Sequence, residues 1–315
     1  MKNIAIIGSG LIGQGWATVF AQAGFHVAMY DTSAQATDAA LKAMETRLFD
    51  MAAFNLIASS DAPEILSRIH GAQTLDDALD GAIYVQECGP EDVDFKREIT
   101  TNLDAIAGSG VPIASSTSGI AASRYSEDIA GRHRCLVVHP INPPHLIPAV
   151  EIVPTPWTKN KIVSQVKDLM TQCQRETIVL NKEIDGFVVN RLQGALLQEA
   201  FNLIGSGIVS AEDLDKAVCD GLGLRWSFMG PMQTIHLNAP GGIVQYVERY
   251  GDMYRNFSLG DYDTLDWSQI VDDSLGIAFE QKTPVSDIPG AQAQRDRTLM
   301  ALLRHKAETH AASDE

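Results

Sequence analysis

The run Asn3-Ile4-Ala5-Ile6-Ile7, followed at once by Gly8-Ser9-Gly10-Leu11-Ile12-Gly13, constrains this chain more than any other stretch of it. Residues apolar at consecutive positions make a strand covered on both faces, the condition of a parallel sheet, and Ile12 to Ala23 then carries helix-type spacing. In a strand–turn–helix of this kind Gly8 permits the tight bend and Gly10 lets the backbone approach a pyrophosphate. Gly13 lets helix and strand pack closely, and the amides of Leu11 and Ile12 at the helix start face an anion. The next strand, Val27 to Tyr30, ends on Asp31, about 20 residues beyond the turn. Its carboxylate accepts both ribose hydroxyls and repels a 2′-phosphate, so the expected cofactor is NAD and not NADP. Asp31 also suits the plain role of N-cap for the helix that follows.

Further short runs rich in Val and Ile extend the pattern at Ile83 to Gln86, Pro112 to Ala114, Cys135 to Val138, Val150 to Val153 and Thr177 to Leu180. Alternating with helical segments such as Ser33 to Phe49, they argue for βαβ units and a mainly parallel sheet. After about Asp185 the strand signal stops. Gly186 to Ile204, Ala211 to Asp220 and Ile235 to Tyr250 carry helix spacing, with Asp185 and Ser210 as start signals. The expected fold class is α/β: a Rossmann-type doubly wound N-terminal domain over 1–184 and an all-helical C-terminal domain over 185–315, the latter serving substrate binding and dimerisation. The polar end from Ala307 is expected to fray.

Charge narrows the partners. With 24 Lys and Arg against 40 Asp and Glu, the formal net charge is −16, which repels a phosphate backbone and makes nucleic acid and anionic membranes poor partners. No stretch approaches the roughly 18 apolar residues of a membrane span, and glycine follows the first apolar run too soon for a signal peptide. Cys88, Cys135, Cys173 and Cys219 stand far apart without metal-ligand spacing, so they read as reduced thiols, and no metal is expected. A cytoplasmic location is the expectation.

A second constellation is His139-Pro140-Ile141-Asn142-Pro143-Pro144, with Glu151 twelve residues beyond the histidine. Strand, Pro-rich loop and strand is the geometry it implies. If the loop returns the chain, Glu151 hydrogen-bonds one imidazole nitrogen and leaves the other to take a proton from a substrate hydroxyl. The plainer alternative is a histidine satisfied within its loop and a glutamate in a surface pair.

The glycine turn, Ser116-Thr117-Ser118, the His139 to Glu151 segment and Asp185-Gly186-Phe187-Val188-Val189-Asn190-Arg191-Leu192 stand in one order along nearly the whole chain. In that order and at those separations they resemble the 3-hydroxyacyl-CoA dehydrogenase family. The resemblance implies that His139 is the general base or acid and Glu151 its orienting partner. It also implies that Ser118 and Asn190 hydrogen-bond around the reacting oxygen, with Asn142 of the same loop facing substrate. Glu87, Glu91 and Lys96 match the family too, which places Glu91 and Lys96 near the nicotinamide end of the cofactor. An acidic, solvated helix start explains the acids equally well.

Within that family the similarity is greatest to a branch acting on a free hydroxy acid such as L-gulonate, carried above all by Gly221 to Pro231 and His236-Leu237-Asn238-Ala239. Arg225 stands there in an apolar, glycine-rich run, where burial without an anionic partner is costly, and a substrate carboxylate fits its planar fork. A structural ion pair with Asp220 or Glu199 competes. The alternatives kept open are a 3-hydroxyacyl-CoA thioester, carnitine with Trp226 near its quaternary amine, and a non-catalytic NAD-binding structural protein. Retention of both His139 and Glu151 argues against the last. A homodimer through the helical domain is also implied.

Overall fold

The computed structural model describes residues 2–257, 280, 281 and 283–311. Eight strands form one sheet: β1 (Asn3–Ile7), β2 (His26–Tyr30), β3 (Ile69–Gly71), β4 (Ala82–Glu87), β5 (Ile113–Ser115), β6 (Cys135–Pro140), β7 (Ala149–Pro154) and β8 (Glu176–Val179). Their order is β3-β2-β1-β4-β5-β6-β7-β8, with every neighbouring pair parallel except β6 and β7.

Alternation along β1 assigns the two faces. Ile4 and Ile6 pack with Trp16 and Phe20 of helix α1 (Leu11–Gln22), Met44 and Leu48 of α2 (Ala34–Ala53), and Val166 and Met170 of a helix at Asn160–Gln172. Ala5 and Ile7 face Ala78 and Leu79 of the short helix Leu75–Leu79 and Leu103 of the helix Val93–Ile106. The sheet is therefore wound on both sides, as its apolar strands require. Each fully buried large side chain contributes about 1.5–3 kcal/mol of burial free energy, and Trp16, Phe20 and Tyr84 are all 0% exposed. Strand β3 is absent from the sequence reading because only Ile69 of its three residues is buried.

The chain divides into two compact units, Met1–Asn190 together with Ala293–Glu315, and Arg191–Gln292. The second unit is helical among its described residues, and three details differ from the sequence expectation. The first helix begins at Val189, not Gly186, because Gly186 (φ 73°) and Phe187 (φ 51°) both take left-handed backbone. The segment after Ser210, whose Oγ caps the Asp213 amide at 3.1 Å, passes from an α-helix at Ala211–Lys216 into a π-helical stretch at Ala217–Gly223. The segment read as one helix over Ile235 to Tyr250 is two, Pro231–Leu237 and Gly242–Arg255, broken at Pro240 and the left-handed Gly242. The last helix, Ile288–Ala311, continues past the expected fraying point at Ala307. None of the helices searched among the described residues is long and apolar enough to cross a membrane.

Candidate active site

Two of the three turn glycines are fixed by packing. A Cβ on Gly13 would lie 2.0 Å from the Gly8 carbonyl oxygen, and one on Gly8, whose φ is +109°, would lie 2.8 Å from the Cys88 carbonyl oxygen. Gly10 differs, because a Cβ there would meet nothing within 4 Å. Its lack of a side chain leaves open space at the start of α1. No side chain caps that helix and no acid stands in its first turn, so the positive end is available to an anion. Leu11 and Ile12 occupy that first turn.

Asp31 follows β2 directly. Its Oδ2 accepts hydrogen bonds from the Ser9 amide and the Ser9 hydroxyl, both at 2.8 Å, and its Oδ1 accepts from the Ser33 amide at 3.1 Å. Burial pushes its carboxyl up, but these bonds outweigh it and hold the group below its usual range, hence ionised. Helix α2 is capped by Ser33, whose Oγ accepts from Ala36 N at 3.2 Å, so Asp31 is not that helix's cap. The donor set fits a dinucleotide: an open glycine, an uncapped helix start and a carboxylate on the next strand.

The dyad is a product of sheet register. In the antiparallel pair β6/β7, His139 and Glu151 are direct cross-strand partners, and their side chains meet with Nδ1 to Oε2 at 2.7 Å. His139 is 5% exposed and Glu151 is fully buried. The other carboxylate oxygen, Oε1, accepts from the Val188 and Val189 amides at 2.7 and 3.0 Å. Burial would raise the Glu151 carboxyl, but the bonds from His139, Val189 and Val188 together lower it. An ionised Glu151 accepts from Nδ1–H, which leaves the Nε2 lone pair for substrate. The Phe187 ring packs on the imidazole, 5.5 Å between centroids at 54°. The left-handed turn at Gly186 and Phe187 thus serves twice, presenting that ring and aiming two helix-start amides at Glu151.

Ser118 and Asn190 are brought together. Asn190 Nδ2 donates to the Ser118 carbonyl at 2.7 Å. Glu91 holds the same loop from the other side, its Oε1 accepting from the Ser118 and Gly119 amides at 3.0 and 3.1 Å and from the Thr117 hydroxyl. Asn142 is exposed in the β6–β7 connector. Lys96 is 1% exposed and its ammonium is committed to Glu87, 2.9 Å to Oε2, while Glu87 also accepts from Ser115 Oγ and the Gly89 amide, both at 2.5 Å. This buried pair is tighter than a solvated helix start suggests. Sequence reading missed Gln86, which is 0% exposed and donates to Ser116 Oγ at 2.7 Å and to the Val138 carbonyl at 3.1 Å. A glutamine inside an otherwise apolar strand was the available signal.

Arg225 corrects one premise. It lies in a short helix, Leu224–Trp226, and is exposed, as are Leu224 and Phe228 beside it, each 64%. The cost of burying a guanidinium therefore does not operate in the single chain. Arg225 belongs to the second unit, whereas the other candidate residues belong to the first.

A doubly wound sheet with a glycine turn at its first helix and an acid after its second strand defines an NAD-binding dehydrogenase domain. Residues 3–184 match the 3-hydroxyacyl-CoA dehydrogenase NAD binding domain and residues 186–269 match the C-terminal domain of the same enzymes. The chain belongs to the 3-hydroxyacyl-CoA dehydrogenase family and is an NAD-dependent oxidoreductase. It is 38% identical over 308 residues to the lambda-crystallin homolog of Bos taurus, covering 96% of this chain and 95% of that one. It is 31% identical over 315 residues to the L-carnitine dehydrogenase of Streptomyces coelicolor, covering 96% and 94%. Among known structures, the chain is similar to 5-formyl-3-hydroxy-2-methylpyridine 4-carboxylic acid 5-dehydrogenase, an NAD+-dependent dismutase, with a TM-score of 0.81 at 28% identity, covering 96% of this chain and 98% of that one.

Proposed function

We propose that this enzyme oxidises the 3-hydroxyl of a small free hydroxy acid of the L-gulonate kind to the 3-keto acid, with His139 as general base and Glu151 as its orienting carboxylate. The observation that carries the reading is the 2.7 Å bond from His139 Nδ1 to Glu151 Oε2, with the second glutamate oxygen held by two backbone amides. NAD, with Gly8, Gly10, Leu11, Ile12, Gly13 and Asp31 to hold its phosphates and ribose and Glu91 and Lys96 bordering its far end, supplies a hydride acceptor when bound. His139 Nε2 removes the hydroxyl proton as the carbinol carbon is oxidised. The resulting imidazolium is balanced by Glu151, which is already ionised and already anchored. Ser118 and Asn190, linked through the Ser118 carbonyl, donate toward the reacting oxygen, and Asn142 and Arg225 are the proposed partners of the substrate's remaining polar groups.

The free acid is favoured by the scarcity of cations between Leu41 and Leu75, where coenzyme A phosphates would need them. A 3-hydroxyacyl-CoA and carnitine are the competing substrates, the second suggested by the Streptomyces relative. Steady-state comparison of L-gulonate, 3-hydroxybutyrate, carnitine and 3-hydroxybutyryl-CoA separates them, and a strong preference for the thioester overturns the free acid. Arg225→Gln is expected to raise the KM for the preferred acid about tenfold with kcat little changed, the loss of one charged hydrogen-bonding partner. Asp31→Ala is expected to raise the KM for NAD by a similar factor of about ten while leaving kcat near the parent value. A variant preferring NAD as strongly as the parent, with unaltered KM, removes Asp31 from the cofactor site.

A homodimer is supported by the second unit's exposed apolar side chains, among them Leu192 (65%), Ile208 (68%), Met232 (64%) and Val244 (67%), since large apolar patches mark association surfaces. Light scattering on the eluting peak is expected to return twice the chain mass, and a single chain mass refutes the dimer. A cytoplasmic location accords with four cysteines left as free thiols.

A further inference from the structure

The first unit holds a concavity of about 550 Å3 that no step above uses. Its wall is of mixed character: Val19, Leu56, Ile57 and Leu303 give it an apolar part, and His145 and Arg175 belong to its polar part. His145 is 6% exposed, yet neither ring nitrogen has a hydrogen-bond partner among the described residues. Buried polar groups as a rule are paired, so an imidazole left with two unmet nitrogens beside a cavity points to a ligand.

Guanidinium and carboxylate groups both stand around it. Arg175 is fastened by Nε to the Cys173 carbonyl and by Nη1 to the Pro144 carbonyl, both at 3.0 Å, which sets its guanidinium against the residue preceding His145. Arg47 of α2 presents a buried Nη1 without a partner. Burial first, then Arg47, Arg175 and Arg295, push the His145 imidazole down to about 3, so it is neutral at physiological pH. The opposing acids are Asp61 on the cavity wall, Asp296, paired with Arg295, and Glu176, next in sequence to Arg175 and felt by its guanidinium. Of the three guanidiniums only Arg175 lines the cavity, and it is the cation beside the unpaired imidazole.

We propose that this cavity binds a small organic anion, its carboxylate or phosphate head held by Arg175 and His145 and its apolar body lying against Val19, Leu56, Ile57 and Leu303. A guanidinium fork and a neutral imidazole N–H supply directional donors for either head group. His145, Leu146 and Pro148 belong to the connector between β6 and β7, whose strands carry His139 and Glu151, so an occupant braces the segment joining the dyad. The proposal is independent of which hydroxy acid is the substrate.

Calorimetric titration of the full-length enzyme with octanoate, phenyl phosphate and 1-hexanol tests it. At least one of the anions is expected to bind one saturable site and hexanol none, and the stronger anion identifies the head group. Arg175→Gln and His145→Phe should each weaken that binding about tenfold or more, whereas His139→Ala should leave it unchanged, which separates the cavity from the active site. Should Arg175→Gln lose its circular dichroism spectrum, Arg175→Lys keeps the charge without the fork and is expected to weaken binding several-fold. The His145 ring-proton titration should move to higher pH with the bound anion. Absence of saturable binding up to about 10 mM, or binding that is lost in His139→Ala and kept in Arg175→Gln, overturns the proposal.

Discussion

His139→Ala is expected to lower kcat by about 10²–10⁴-fold, the range a positioned general base contributes, while NAD affinity measured by fluorescence titration stays at the parent value. The expectation follows from how little else the substitution disturbs. Glu151 keeps both backbone amides, from Val188 and Val189, so the start of the following helix remains anchored. The glycine turn and Asp31 are held by their own contacts. Glu151→Gln is the companion variant: the amide preserves size but offers Nδ1 no charge to balance an imidazolium, so kcat should fall with KM for NAD unaltered. Turnover equal to the parent in His139→Ala means the base is elsewhere, and loss of NAD binding in step with turnover means the histidine is structural.

The second large effect concerns stability. Lys96 and Glu87 are each 1% exposed and bonded at 2.9 Å, and Glu87 takes further bonds from Ser115 and Gly89. Removing the cation strands a carboxylate in the interior, so Lys96→Met should destabilise the first unit by about 3–5 kcal/mol, read as a lower urea midpoint. The double variant Glu87→Gln with Lys96→Met should recover much of that loss, because the cost lies in the uncompensated charge and not in the missing attraction. A shift in Lys96→Met below about 1 kcal/mol, the range of exposed pairs, shows that water reaches Glu87 in solution.

Much of the doubly wound sheet was legible because its strands are apolar on both faces and its punctuation is strong. Strand β3 was not, since three residues with one buried side chain carry no period. The helix boundaries moved where backbone conformation overrode apolar spacing, at Gly186-Phe187 and at Pro240 to Gly242. Of the candidate site, the residue types and their spacing were readable, but what holds them was not. Glu91 anchors a loop 26 to 28 residues away, and Gln86 ties β4 to positions 30 and 52 residues distant. Such partners are set by strand order, which a single sequence does not print. Arg225 shows the opposite failure: an apolar neighbourhood in sequence does not make an interior, and its neighbours Leu224 and Trp226 are themselves at the surface of the chain.

The meeting of His139 with Glu151 across two antiparallel strands has an evolutionary corollary. Because the ladder and not the loop decides which residues face each other, the connector can lengthen, shorten or change composition without parting the pair. A slip of one residue in the ladder, by contrast, turns one of the two side chains to the opposite face of the sheet. The connector is thus free to vary while the histidine and the glutamate stay locked in step across the ladder.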